Sequence, residues 1–468
     1  MNFQDNTPYD ILTEKWNPVL DHGALPSISD DYRKKVTAVL LENQEQAIRA
    51  QHLTEDMSSN NLGMPTSFTN TGAVSGYDPV LISLVRRSMP NLMAYDICGV
   101  QPMTAPTGLI FAMRANYGGN TYGSTANYRE AMFQEAQPQY GGSGYTLAAA
   151  DKGSNGQYGL CGSCGGTSGN PFLLRAGGAA NFSTFRGLLT SAGEALGSPT
   201  TFNQMAFSID RVAVQARTRA LSSNYTVELA QDLKAVHGLD AEAELANLLS
   251  TEILAEINRE IVRTIYYVAR RGSVQGDLST AAGGVYDLDQ DSDGRWSAER
   301  FRGLTFQIER ECNAIAKETR RGKGNFIICD SDTAAALAMS GFMSLSPAIA
   351  PQLNVDDTQS TFAGLLNGKI RVYIDPYTPL GVNFFCAGYK GESPYDAGLF
   401  YCPYVPLQMV RAVDPATFQP RIAFKTRYGV VANPYVLNGT TPDGEALTQG
   451  LNQYYRITQV THLHGNTI

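Results

Sequence analysis

The residues best placed to do chemistry are three aspartates in "DLDQDSDGRWSAERF", residues 287–301. Asp289, Asp291 and Asp293 alternate ahead of Gly294, the pattern that opens a calcium loop: hard oxygen ligands at every second position, then a glycine for the sharp turn. Such a loop closes with a bidentate carboxylate at its twelfth position, because Ca²⁺ takes about six to eight oxygens. Here that position is Arg300, and Glu299 stands one residue early. The aspartates are therefore weak metal candidates, and no resident metal or cofactor is expected.

Other constellations are thinner. "CGSC" (Cys161, Cys164) has the spacing of half a zinc site, but no second ligand pair accompanies it. The seven cysteines are an odd number, mostly in apolar surroundings such as "IICD" and "FFCAG", and read as reduced, buried thiols. Of five histidines, His237 in "AVHGLD" reads as a turn residue, while His462 and His464 alternate as at a strand edge. No zinc-protease, nucleophile-elbow, phosphate-loop or dinucleotide motif is present, and "RRGKGNF" (320–326) reads as a helix-to-strand turn with a basic C-cap. The chain does not read as an enzyme.

The elements around these residues are clearer. "DAEAELANLLSTEILAEINREIVRTIYYVARRG" places Leu245, Leu249, Ile253, Ile257, Ile261, Ile265 and Val268 at helical intervals. The spacing predicts a strut helix over 240–271, with Asp240 as cap, Arg270 and Arg271 in the last turn and Gly272 as the stop. A second helix is expected in "SAERFRGLTFQIERECNAIAKETRRG", then a buried strand and helix in "NFIICD" and "SDTAAALAMSGF". "KIRVYID", "VNFFCAG", "GLFYCPYVPLQMV" and "RIAFKTRYGVVA" read as strands. Near the N-terminus, "SISDDYRKKVTAVLLENQEQAIRA" predicts an amphipathic helix capped by Ser29 or Asp30. Its stripe of Val36, Val39, Leu40 and Ala47 is thin enough to need a partner. Residues 54–72 have no hydrophobic period and read as an exposed linker, while 116–200 hold 18 of the 45 glycines and suggest an inserted β-rich module.

Composition sets the frame. With 468 residues, 43% hydrophobic and 17% charged, the chain can bury several cores. Its net charge of −8 is spread without long runs, so no groove for nucleic-acid phosphates is expected. No apolar stretch approaches the roughly 18 residues needed to cross a bilayer, which points to a soluble protein made in a cytoplasm. The 24 tyrosines suit contact surfaces, since Tyr offers area and a hydroxyl with few rotors to freeze.

Several stretches together resemble the major capsid proteins of T-even-like myoviruses, including relatives that infect marine bacteria. They are "VRRSMPNLMAYDICGVQPMTAPTG" (85–108), "VELAQDLKAVHGLDAEAEL" (227–245), "TEILAEINREIV" (251–262), "GKIRVYID" (368–375) and "FQPRIAFKTRYGVVANPY" (418–435). The resemblance covers most of the chain and is poorest over the glycine-rich 116–200.

The resemblance implies an α+β Hong Kong 97-type capsid fold. The expected parts are a propeptide-like segment (1–55), an N-arm leading into the peripheral domain (56–115), and an extended loop with a glycine-rich β insertion domain (116–200). They are followed by a peripheral domain with its spine helix (201–324), an axial domain (325–445) and a C-terminal return to the peripheral domain (446–468). It further implies hexamers tiling an icosahedral or prolate head shell around packaged double-stranded DNA, bound without sequence specificity. The vertex protein, scaffold, portal and prohead protease would be partners, with decoration proteins and a host chaperonin as further ones. Family precursors are cut after Leu/Ile-x-Glu, and "HLTEDM" offers Leu53, Glu55 and Asp56 beside the linker. The alternatives are the pentamer-forming vertex paralogue and, from another class, a calcium-dependent or carbohydrate-active cytoplasmic enzyme built on the aspartate loop.

Overall fold

A computed structural model describes residues 8–21, 28, 30–58, 85–86, 89–117, 129–132, 194, 205–274, 278, 283–292, 296–345, 362–413, 419–434 and 447–463. In chain order these form helices α1 (Pro8–Leu20), α2 (Asp31–Ser58) and α3 (Ala94–Ile97), then strands β1 (Gly99–Val100), β2 (Thr107–Tyr117), β3 (Arg129–Glu130), β4 (Met205–Gln215) and β5 (Arg217–Asn224). Helices α4 (Val227–Val236) and α5 (Ala241–Val268) follow, with β6 (Ala269–Arg271), β7 (Val285–Asp287), α6 (Ser297–Thr319), β8 (Phe326–Cys329) and α7 (Ser331–Met339). The remainder is β9 (Met343–Leu345), β10 (Phe362–Leu366), β11 (Ile370–Ile374), β12 (Asn383–Gly388), β13 (Leu399–Val413), β14 (Pro420–Ala432) and β15 (Asn452–Thr461).

The layout is mixed helix and sheet, with three sheets ordered β1-β13-β14-β5, β6-β15-β12-β8-β11-β10-β9 and β3-β2-β4; β7 also pairs with β15. The run "FIIC" of β8 is buried at every position because both faces of its sheet are covered. Phe326 and Ile328 face the core that contains α5, while Ile327 and Cys329 face the one under α6 and α7. All five described cysteines are free and buried. Burial pushes the thiols of Cys98, Cys312, Cys386 and Cys402 up to about 12.

The expected strut helix is α5, about 42 Å long at about 1.5 Å per residue. The Asp240 side chain caps it by accepting from Glu242 N–H. Leu249, Ile253, Ile257, Ile261, Ile265 and Val268 are buried along one stripe, and Leu245 is half-buried. Arg259 fastens the helix to the end of β11, with Nη1 at 2.7 Å from both oxygens of Asp375, and Tyr266 donates its hydroxyl to the same carboxylate at 3.0 Å.

The expected helix end at 271 is not where the helix stops. Ala269 is extended, and 269–271 leave the helix to pair in parallel with β15, Arg270 opposite Arg456. Gly272 is a point of close approach, where a side chain would collide with Thr458 and press on Glu311. Beside it, Arg456 enters a buried ion pair, 3.1 Å from Glu311 Oε2, and also holds Glu318 Oε1 at 2.5 Å. Burial opposes the charge of Arg456, but the carboxylates of Glu318 and Glu311 outweigh it and raise its pKa.

Strand pairing links residues far apart in the chain. Within 325–445, β8 to β12 join the eight-stranded sheet, whereas β13 and β14 pair with β5 and β1 against α5. Residues 452–461 lie between β12 and β6 in the eight-stranded sheet. Strands β2 and β4 pair over their full length, from Thr107↔Gln215 to Tyr117↔Met205. The glycine-rich stretch is therefore carried between two strands of one hairpin arm, and most of it lies outside the described residues.

Helix α2 has the partner its thin stripe required. Asp30 caps it by accepting from Tyr32 N–H at 3.0 Å, and it packs on α1 and β13. Val36, Ala38, Leu40 and Leu41 are buried in the same core as Ile97, Val100 and Leu407. The helix also runs further than the sequence suggested, through residue 58.

Candidate functional site

The aspartate loop follows β7 and is closed by its own carboxylates. Asp289 N–H donates to Asp287 Oδ1 at 2.9 Å, Asp287 N–H to Asp291 Oδ2 at 3.0 Å, and Asp291 N–H to Asp287 O at 2.9 Å. Arg300, the residue that broke the calcium pattern, forms an ion pair with Asp289. His462 Nδ1 lies 2.9 Å from Asp287 Oδ1, so the loop is tied to the end of β15. Ser292 donates its hydroxyl to Arg300 O at 3.2 Å. The arrangement is a polar turn that seats the start of α6. Among the described residues no group of three metal-ligating side chains comes together; Asp293 lies outside them.

The remaining chemical candidates fall apart in space or outside the description. Cys161, Cys164, His22 and His464 lie outside it. His237 closes the C-terminus of α4, its N–H bonded to Leu233 O. Leu53, Glu55 and Asp56 lie in the last turns of α2, with the helix ending two residues beyond Asp56. A protease that binds its substrate extended would have to unwind the last turns of α2 there.

The sequence reading missed a surface rather than a reactive group. Along the β2–β4 ribbon, residues at 109, 111 and 113 share a face with 209, 211 and 213, because opposite positions in an antiparallel pair project the same way. At the base, Ile110, Ala112, Val212 and Val214 of the other face are buried. The outward face carries Leu109, Phe111, Ile209 and Phe207, with Phe111 59%, Phe207 65% and Ile209 56% exposed. Arg211 supplies its one described charge. Large apolar side chains grouped on a paired ribbon mark a surface that another surface covers. The available signal was the alternation in "GLIFAM" and "MAFSID"; apolar residues on both faces of the base blurred it.

Known proteins resemble this chain along most of its length. The sequence profile of the family described as "Major capsid protein Gp23" matches residues 74–460. The major capsid protein of Salmonella phage ViI is 37% identical over 458 residues, covering 95% of this chain and 96% of its own. That of Enterobacteria phage T4 is 34% identical over 495 residues, covering 94% of each chain. The T4 capsid vertex protein is 32% identical over only 244 residues, 49% of this chain and 53% of its own. Among solved structures, the capsid of Myoviridae phage XM1 aligns with 77% of this chain and 90% of its own, at 10% identity and a TM-score of 0.37. The chain belongs to the Gp23 family of major capsid proteins.

Proposed function

We propose that this chain builds the head shell of a tailed phage, and that its work is geometric rather than catalytic. The observation that carries the reading is the ribbon: a long arm whose outward apolar face stands exposed on an isolated chain. In a shell, that face would lie on the next copy, a heterologous contact that closes rings or propagates a lattice. Hexamers are the form we assign, in a Hong Kong 97-type arrangement with α5 as spine and the ribbon as base of the extended loop. The vertex paralogue is the weaker reading, because similarity to the T4 vertex protein stops at about half the chain.

The partners follow from that role: the vertex protein, scaffold, portal and prohead protease of the same phage, decoration proteins, a host chaperonin, and packaged DNA held without sequence reading. Maturation would include hydrolysis between Glu55 and Asp56, an irreversible step that commits the assembly and allows expansion. Mass spectrometry of mature particles should find Asp56 at the N-terminus; particles whose chains start at Met1 would remove this part of the proposal.

The ribbon gives the more direct test. Phe111→Asp with Phe207→Asp places two charges on the outward face without touching a buried group. Electron microscopy should show rings, tubes or shells for the parent chain and none for the variant, with unchanged far-UV circular dichroism. Shells of normal yield from the variant would sink the reading.

A further inference from the structure

The segment expected to be removed is not a free tail. Helices α1 and α2 form a hairpin seated on the rest of the chain, with Trp16 and Leu20 of α1 and Val36, Leu40 and Leu41 of α2 buried. The polar contacts across the seam are specific. Asn43 Nδ2 donates to two body carbonyls, Met103 O at 2.8 Å and Tyr404 O at 2.9 Å. Arg33 pairs with Asp96 at 2.6 Å and donates to Pro90 O at 3.0 Å, Tyr32 donates its hydroxyl to Val100 O, and Arg86 donates to Leu20 O at 2.6 Å.

This is the pattern of an amphipathic helix laid in a groove, apolar anchors in the middle and directed polar contacts at the sides. One residue breaks it. Gln44 is completely buried in α2, yet neither Oε1 nor Nε2 has a hydrogen-bond partner among the described residues. A buried amide left unsatisfied weakens the state that buries it, because both atoms were bonded to water before docking.

We infer that the groove between 89–103 and β13 is a binding site for the severed N-terminal helical hairpin of this chain: cutting the backbone in or beyond the last turn of α2 leaves the fragment bound, and its departure is a separate step that Gln44 accelerates. The inference rests on the reading that this segment is removed. Before the cut the covalent tether keeps the hairpin at high effective concentration, so weak docking is enough. After the cut the same contacts must hold an independent ligand, and the defect at Gln44 then sets how fast the groove empties. The groove left behind would be apolar and lined by carbonyls that had lost Asn43.

The test cuts the full chain at a chosen place. A recognition sequence for a site-specific endoprotease is inserted between Asn60 and Asn61, the purified unassembled chain is cleaved, and gel filtration follows the fragment. In a Trp296→Phe background, Trp16 is the sole tryptophan and its emission reports docking. The fragment should co-elute with the body, Asn43→Ala with Arg33→Ala should release it on the column, and Gln44→Leu should slow release by about tenfold. Uncut variants should keep the parent spectrum. Immediate loss of the parent fragment, retention by the double variant, or unchanged or faster release from Gln44→Leu would each overturn the inference. Gln44→Leu gains affinity, so its result stands even if the double variant folds poorly. The engineered cut needs neither prohead protease nor shell, so a mature N-terminus other than Asp56 would refute the cleavage reading and leave this result intact.

Discussion

Helix α2 turns Val36, Leu40 and Leu41 into the body of its own chain, whereas the β2–β4 ribbon turns Phe111, Phe207 and Ile209 to solvent. Both regions are amphipathic, and both flank stretches outside the described residues. They differ in where the apolar face is covered. Apolar surface satisfied within the chain contributes to the stability of the isolated subunit. Apolar surface left open contributes only when a neighbour arrives, at roughly 25 cal/mol per Å² removed from water. On the proposed function, the two regions are complementary halves of one programme: the hairpin holds surface that maturation uncovers, and the ribbon offers surface that assembly covers.

The strongest way to break that comparison is to truncate one anchor in each region. Leu40→Ala removes a side chain that is 1% exposed and should lower stability by about 2–5 kcal/mol, because a cavity remains where the methyls were. Phe207→Ala removes a larger side chain that is 65% exposed and should change the isolated chain by no more than about 0.5 kcal/mol while reducing assembly. Urea midpoints of unassembled chains, paired with particle yields, check both. Equal losses of stability would mean the ribbon face is already covered within the subunit.

The same contrast explains what could be read from the sequence. Helix α5 was legible because it buries one stripe at three- and four-residue intervals, and Asp240 marks its start. Its end was not, because the partner that pulls 269–271 into a sheet is β15, far along the chain, and a local period cannot register that. The ribbon was hidden for a similar reason: β2 and β4 meet only across the glycine-rich stretch, and buried Ile110 and Val212 interrupt the alternation that would expose its outward face. Arg300, a cation in the last ligand position, argued against calcium, and in the fold it pairs with the first aspartate. Helix α2 looked thin because Thr37, Asn43 and Gln44 are polar in type yet buried in place.

A smaller effect separates the seam of the hairpin from its anchors. Arg33→Ala removes a charge-assisted bond to Asp96, a second to Pro90 O and the stacking of the guanidinium over Tyr95 at 5.4 Å. Hydrogen bonds to charged groups contribute about 1.5–3 kcal/mol, and this one is partly exposed, so the loss should fall near the lower end. Conservative rescue by Lys should be incomplete, because an ammonium cannot hold two acceptors in a planar fork. A single urea titration of Arg33→Ala, Arg33→Lys and the parent ranks them; no difference from the parent would place the hairpin's affinity wholly in its apolar anchors.

The smallest effect is set by pH and again touches only one region. Within the hairpin Lys15 lies 2.6 Å from Glu42 and 2.7 Å from Glu45, and Trp16 Nε1 donates to Glu42 at 3.2 Å. Burial works against the charge on Glu42, but the bonds from Lys15 and Trp16 outweigh it and lower its pKa. Its contribution is therefore complete above the ordinary carboxylate value near 4.3 and is lost as pH falls through the lowered one. Lys15 is raised, with burial opposed by hydrogen bonds to Glu42 and Glu45, so its share persists through neutral pH and is lost only as pH climbs through the raised value. Because Lys15 is 47% exposed, solvent screening holds the pair below about 1 kcal/mol. In the Trp296→Phe background, emission of Trp16 should shift to the red below about pH 4 and stay constant from there through neutrality. The described outward face of the ribbon carries no carboxylate, so ribbon-driven association should not follow that acid transition. A shared acid midpoint for Trp16 exposure and loss of association would tie the two regions together and end the division between a covered face and an open one.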